Sequence, residues 1–160
     1  ALDTPGHAYH HMAYLLDGYC FSGDVGGVRM HTPGMRHVRI PTPPPEFHIE
    51  KWRQSLQRLG SLGLDFIAPT HYGIFDDPDK HLAAAAKGLD DIEAWMEMHI
   101  PKGLSTDKLE NEVASWERER ALDDGIPADL LDSYEKASPA WMSAAGLQRY
   151  WRKYRENNPS

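Results

Sequence analysis

MAYLLDGYCFSGDVGG, residues 12–27, decides how the chain is read. Met12 to Leu16 is a short apolar run, and the Asp17-Gly18 after it is a dipeptide that supplies the two positive φ angles of a tight hairpin turn. Tyr19-Cys20-Phe21 is a second apolar run, so the stretch predicts a β-hairpin. Beyond it, Ser22-Gly23-Asp24-Val25-Gly26-Gly27 is a loop whose glycines let the backbone turn tightly around one carboxylate.

Upstream, the chain opens on what reads as the end of a strand and enters Thr4-Pro5-Gly6-His7-Ala8-Tyr9-His10-His11, which holds three of the nine histidines. Downstream, residues 26–45 are glycine-broken and carry five prolines, among them Pro43-Pro44-Pro45. An ordered loop of that length between core elements is usually functional. Ile49, Trp52, Leu56 and Leu59 recur at helical spacing, predicting a helix over 46–60 stopped by Gly60 and Gly63. DFIAP, residues 65–69, reads as a buried strand that ends in Pro69-Thr70-His71-Tyr72-Gly73.

The remainder is helical. Leu82, Ala85, Leu89, Ile92 and Met96 stripe a helix over 78–99. Leu109, Val113 and Trp116 stripe another over 106–122, with Ser105 or Thr106 as cap and Gly125 as stop. Pro127 opens a helix to about residue 137, and Pro139 opens the last, with Leu147, Trp151 and Tyr154 on one stripe. The chain divides by content into residues 1–75, mixed α/β, and residues 76–160, helical.

The 160 residues suffice for one core of their own, at 41% hydrophobic and 26% charged. Formal net charge is −7, unevenly spread. Residues 76–135 carry 17 acids and six bases, whereas residues 136–160 carry five bases and one acid. The acidic middle argues against a nucleic-acid binder, which needs a basic surface to release counterions. The basic tail, with Arg149, Arg152, Lys153 and Arg155, reads either as a phosphate contact or as a solvated helix end where cations suit the dipole. No apolar stretch is long enough to span a bilayer. One cysteine, Cys20, allows no intrachain disulfide and fits a cytoplasmic protein, with the thiol buried in a strand.

Three loops thus follow short apolar runs, and each carries a metal-ligating side chain: His7, Asp24 and His71. Imidazole and carboxylate suit a borderline metal such as zinc, and a carboxylate can bridge two ions. TPGHAYHH, then FSGDVGGVR, then APTHYG after a helix and a strand, resembles the metallo-β-lactamase-fold hydrolases over residues 1–75. That resemblance implies an α/β fold, the C-terminal half of an αββα sandwich, followed by the helical extension that contains PAWMSAAGLQRYWRK at 139–153. It implies two divalent metals, zinc foremost with iron or manganese as alternatives. His7 would bind the first, His71 the second, and Asp24 would bridge both and orient the nucleophile. Thr4, Pro5, Gly6, His7 and His11 match the family's T-P-G-H-T-x-G-H motif, whereas Ala8 and His10 depart from it. By that match His11 supports the loop, and His10 reads as loop surface or pocket rim.

The family's main signature, H-x-H-x-D-H, is missing: no H-x-H occurs among the nine histidines. The expectation is a fragment lacking the half that carries those four ligands. Alone it should hold metal weakly and be inactive, since catalytic zinc takes three protein ligands. Half a sandwich also leaves an apolar sheet face open to the missing half or to a second copy of the chain. The expected substrate is a small molecule with an ester, thioester or lactone-type bond. A glutathione-holding basic, cysteine-containing stretch is absent from residues 25–45, and no lactamase-specific set is present. Arg29 either grips an anionic substrate group or forms a loop salt bridge, and Tyr72 either lines the pocket or packs. The rival reading is a non-catalytic helical interaction module that presents Trp95, Trp116, Trp141 and Trp151 to a partner.

Overall fold

The Asp17-Gly18 turn takes positive φ at both residues, 47° and 81°, in a computed structural model that describes residues 1–156. It joins β2 (Met12–Leu16) to β3 (Tyr19–Gly23) as the antiparallel hairpin that the sequence predicts. β1 (Leu2–Asp3) pairs antiparallel with β2 on one side. On the other side β4 (Phe66–Pro69) lies parallel to β3, with Cys20 opposite Ile67 and Gly23 opposite Pro69. The parallel pair is closed by a crossover through α1 (Ile49–Gly60), and the sheet order is β1-β2-β3-β4.

The helices follow as α2 (Pro78–His99), α3 (Thr106–Asp123), α4 (Leu131–Ala137) and α5 (Ala140–Tyr154). None is long and apolar enough to cross a membrane. One hydrophobic core takes Ala13, Cys20 and Ile67 from the sheet, Trp52 and Leu56 from α1, and Leu82, Leu89 and Ile92 from α2. Val113 of α3 and Leu147 and Tyr150 of α5 join the same core. The division at residue 75 is therefore one of secondary-structure content, and packing runs straight across it. Burial pushes the Cys20 thiol up to about 11, as for a side chain that belongs to the core.

Two details depart from the periodicity. On α5 the fully buried stripe is Ala140, Ala144, Leu147 and Tyr150, while Trp151 and Tyr154 sit half-buried at its edge. A 3.6-residue turn lets either of two adjacent positions follow Leu147 inward, and tertiary packing chooses Tyr150. Of the four helical tryptophans proposed as a partner surface, Trp95 is buried and Trp116 and Trp151 are half-buried against the core. Trp141 alone of the four is exposed.

The proline-rich segment is ordered. Val28 and Arg39 pair backbone to backbone, and Val28, Val38 and Ile40 are buried. A second small cluster, Val28 with Ala121, Ile126, Leu131 and Tyr134, fastens it to the helices. α5 lies directly on this segment at Gly146, where an added Cβ would stand 1.8 Å from the Thr42 carbonyl oxygen. That approach sets the Pro43–Pro45 stretch beside the last turns of α5.

The two faces of the sheet differ. Ala13, Cys20 and Ile67 point into the core. Tyr14 opposite Phe21, Leu16 opposite Tyr19, and Tyr19 opposite Phe66 line the other face. There Tyr14, Leu16 and Phe21 stay 58%, 62% and 43% exposed.

Candidate metal centre

Thr4 is buried and clamps both ends of its own loop: its N–H donates to the His11 carbonyl at 2.9 Å, and its Oγ1 meets His11 Nδ1 at 2.9 Å. The other ring nitrogen, His11 Nε2, accepts the Asp24 N–H at 3.1 Å. A backbone amide can only donate, so Nε2 carries the lone pair and the ring proton sits on Nδ1, donated to Thr4. His11 is thereby a neutral latch between the 4–11 loop and the Asp24 loop, with no lone pair left for a cation. Burial holds its pKa below the ordinary imidazole value, and His7 adds to the effect. Gly23 is required by the same latch. Its φ is 56°, and an added Cβ would lie 2.6 Å from His11 Nε2.

α1 carries the 4–11 loop. Ser55 Oγ donates to the Pro5 carbonyl at 2.6 Å, and the His48 N–H donates to the Gly6 carbonyl at 2.9 Å. Gly6 rests on the Trp52 backbone, 2.5 Å from where its Cβ would be. Trp52 Nε1 donates to the Val25 carbonyl at 2.9 Å. One residue further along that turn, His81 Nε2 donates to the Gly26 carbonyl at 2.7 Å. Burial pushes His81 down to about 4, so its ring is neutral. The 3-10 turn Asp24–Gly26 is therefore pinned by three side chains, His11, Trp52 and His81.

These latches bring His7 and Asp24 face to face, with His7 Nε2 3.7 Å from Asp24 Oδ2. Two donors each about 2.1 Å from zinc at a tetrahedral angle stand roughly 3.4 Å apart, so this pair fits a cation held between them. The other His7 nitrogen, Nδ1, is buried, and the ring edge meets Trp52. Burial holds the His7 pKa below the ordinary imidazole value, against the opposing pull of Asp24. A cavity of about 590 Å³ opens over the pair. Its wall is built by the 7–11 loop, Met12, Tyr14 and residues 43–46.

His10 stands at the rim of this cavity, its side chain 87% exposed and its Nδ1 3.7 Å from Glu46 Oε2. Glu46 itself accepts the Tyr9 N–H at 2.8 Å. His71 is not assembled with the pair. Among the described residues no three histidine, cysteine or acidic side chains converge as a metal group. The sheet register does set Pro69 beside Gly23, so the His71 loop leaves the sheet next to the Asp24 loop. Tyr72 is outside the cavity wall: it sits at φ 67° and its hydroxyl donates to the Ser133 carbonyl at 2.6 Å. Arg29 is also elsewhere, 7% exposed, forked onto Asp77 at 2.6 and 3.2 Å with its guanidinium 4.3 Å over the Phe75 ring. Burial pushes the Asp77 carboxyl up, but Arg29 and Arg36 more than offset it and hold it at about 2. Of the two readings of Arg29, the structure holds the salt bridge.

Sequence reasoning missed Trp52, His81 and Glu46. A histidine on the apolar stripe of α2, one residue before Leu82, was the available signal for His81. Trp52 was visible as a core position, but its N–H partner was not. Glu46 follows the prolines with no periodicity to mark it.

No family model matches the chain. A metallo-beta-lactamase fold-containing protein of Sulfurisphaera tokodaii is 37% identical over 71 residues, 44% of this chain. The match spans only a quarter (25%) of that protein's length. A solved archaeal metallo-beta-lactamase superfamily protein from Sulfolobus tokodaii superposes with TM-score 0.46 at 32% identity, covering 53% of this chain and 30% of that one. A metallo-beta-lactamase family protein from Thermus thermophilus superposes with TM-score 0.48 at 18% identity, covering 95% and 43%. At these scores the superpositions carry no argument, and the chain spans about a quarter to under half of the length of the proteins it resembles.

Proposed function

We propose that this chain belongs to the metallo-β-lactamase superfamily, to one of whose members part of it is similar, and that it supplies one wall of a metal-dependent hydrolase centre. The observation that carries the reading is the facing pair, His7 Nε2 and Asp24 Oδ2, beneath an open cavity and held from behind by His11, Trp52 and His81. His7 would hold one divalent cation, Asp24 would be shared between two, and His71 would serve the second. Zinc suits this donor set best, with iron or manganese as alternatives. A metal pair held by these residues would supply Lewis-acid chemistry, namely activation of a water and polarisation of a carbonyl. The chain's own part is positional. His11 fixes the Asp24 backbone, so the carboxylate is aimed before substrate arrives. Met12 and Tyr14 form the floor against which a small ester, thioester or lactone would lie.

Two ligands from this wall are fewer than the three a catalytic zinc takes from protein. The occupant we assign to the exposed sheet face is the other half of the superfamily fold, which bears H-x-H-x-D-H. Met12 and Tyr14 belong both to that face and to the cavity wall, so a layer laid on the face reaches the centre. A protein of this kind would work in the cytoplasm, where the lone Cys20 stays reduced.

The test is metal analysis with an ester, thioester and lactone screen on the complete gene product. Asp24→Asn and His7→Ala should each lower turnover by at least about a hundredfold and reduce bound metal. A complete protein that binds no metal and hydrolyses none of these overturns the reading. Light scattering on residues 1–160 tests the occupant: a monodisperse monomer counts against an open apolar face, and a dimer identifies a second copy instead.

A further inference from the structure

The cavity over His7 and Asp24 is poor in positive charge on this chain's side. Among the described residues no lysine or arginine lines it, and its basic groups are the imidazoles of His7, His10 and His11. His11 has both ring nitrogens committed, one to Thr4 and one to the Asp24 N–H. Pro43, Pro44 and Pro45 form one side, and a proline has no N–H to offer an anion. Arg29, the candidate for gripping an anionic group, is forked onto Asp77 outside this cavity.

Glu46 follows the prolines directly and lines the same cavity as His7 and Asp24. Its Oε2 accepts the Tyr9 N–H at 2.8 Å and stands 3.7 Å from His10 Nδ1, so the carboxylate is fixed to the loop that carries His7. Its side chain is 31% exposed, and a carboxylate has lone pairs to spare beyond those two contacts. The nearby cations are engaged elsewhere. Lys51 Nζ and Lys153 Nζ sit 4.5 and 5.9 Å over the Tyr9 ring, and Arg149 Nε donates to the Pro45 carbonyl at 3.2 Å. None of these three cations lines the cavity, and neither does Tyr9. Tyr14, 58% exposed, adds to the wall an aromatic ring of the kind that attracts cations.

We propose that Glu46 determines specificity at this wall: it selects a substrate that carries an ammonium group on its non-reacting part and turns away one that carries a carboxylate there. The inference rests on the hydrolase reading for the reaction, and on the lining of the cavity for the charge preference. On that reading Asp24 is committed to the metals, which leaves Glu46 as the acid that faces the rest of the substrate. The reacting centre and Glu46 belong to one cavity of about 590 Å³, room for a small ester that meets both. A substrate carboxylate would face Glu46 with no lysine or arginine of this wall to offset the repulsion.

The test uses the complete gene product and three matched acetate esters at constant ionic strength: that of choline, that of its neutral isostere with carbon in place of nitrogen, and that of glycolate. The choline ester should exceed the isostere in kcat/KM by at least about threefold and the glycolate ester by at least about tenfold, mainly through KM. Glu46→Gln keeps an oxygen for the Tyr9 N–H and removes the charge, so the choline-to-isostere ratio should fall to about one. Glu97→Gln, an exposed charge removal on α2, should change that ratio less than about twofold. Melting temperature establishes that both variants fold. If the wider screen finds a reactive bond other than an oxygen ester, the same three groups are carried on that bond. Turnover without charge preference, a preference for the carboxylate, or a ratio that Glu46→Gln leaves unmoved sinks this inference and keeps the hydrolase. An equal loss with Glu97→Gln assigns the preference to the overall acidic charge and overturns the role of Glu46. Turnover of no substrate in the whole screen sinks the hydrolase, and this inference with it.

Discussion

The Asp24 loop and the His71 loop leave neighbouring strands side by side, yet the first is pinned by three side chains and the second is closed by a backbone pair at its base. His11, Trp52 and His81 each bond the 24–26 backbone, and two of those residues are fully buried. The 70–73 loop is closed at its base by the Ile67–Phe75 backbone pair, and beyond that pair the Tyr72 hydroxyl, on a residue in the left-handed region, bonds the Ser133 carbonyl. A shared carboxylate must be placed before the metals arrive, because any reorganisation at that point is subtracted from binding. A ligand at the rim of the site can be drawn into place as the centre is completed. On the proposed function, the contrast would make Asp24 the preorganised ligand and His71 the adaptable one.

The largest break in this comparison is Gly23→Ala. It forces a side chain onto φ 56° and into the His11 ring, and should cost about 3 kcal/mol, read as a fall in the urea midpoint. A loss below about 1 kcal/mol would mean the latch is soft and the two loops are alike.

Next comes pH. His81 is neutral in the fold, with its pKa lowered from 6.5 to about 4, so the unfolded chain takes up the proton first. Its contribution is therefore complete above pH 6.5 and is lost as pH falls toward 4, by up to about 3 kcal/mol. Arg29 and Asp77 face the same ring and pull in opposite directions. His7, His11, His37 and His48 are depressed too and add in the same sense, so the share of His81 is read as a difference. His81→Gln should flatten the stability profile between those limits; an unchanged profile removes His81 from the latch.

The smallest effect belongs to the second loop. Tyr72→Phe removes one exposed hydrogen bond and should cost less than about 1 kcal/mol. A loss as large as that for Gly23→Ala would show the His71 loop to be as firmly built as its neighbour.

The fold of residues 1–75 was legible because its signals are local. Asp17-Gly18 sets the hairpin, and the spacing of Ile49, Trp52, Leu56 and Leu59 sets α1 with its buried face. His7 and Asp24 were legible as candidate ligands because the ordered TPGH and SGD loops resemble those of a metal-hydrolase family. Their apposition was not legible, because it depends on which nitrogen of His11 accepts an amide thirteen residues away. Arg29 shows the same limit: two readings stood until Asp77, 48 residues on, was found within 2.6 Å.

By itself, the sequence determined the order of strands and helices, the apolar runs that make the sheet, and the residue types able to hold a metal. Periodicity and turn chemistry act over a few residues, so those features can be read along the chain. Tertiary structure alone decided that Trp52 and His81 pin the Asp24 turn, that α5 lies on Thr42 through Gly146, and that the cations of α5 stand behind the cavity wall. Such contacts join residues tens of positions apart, and they exist only because one shared core brings α1, α2 and α5 against the sheet.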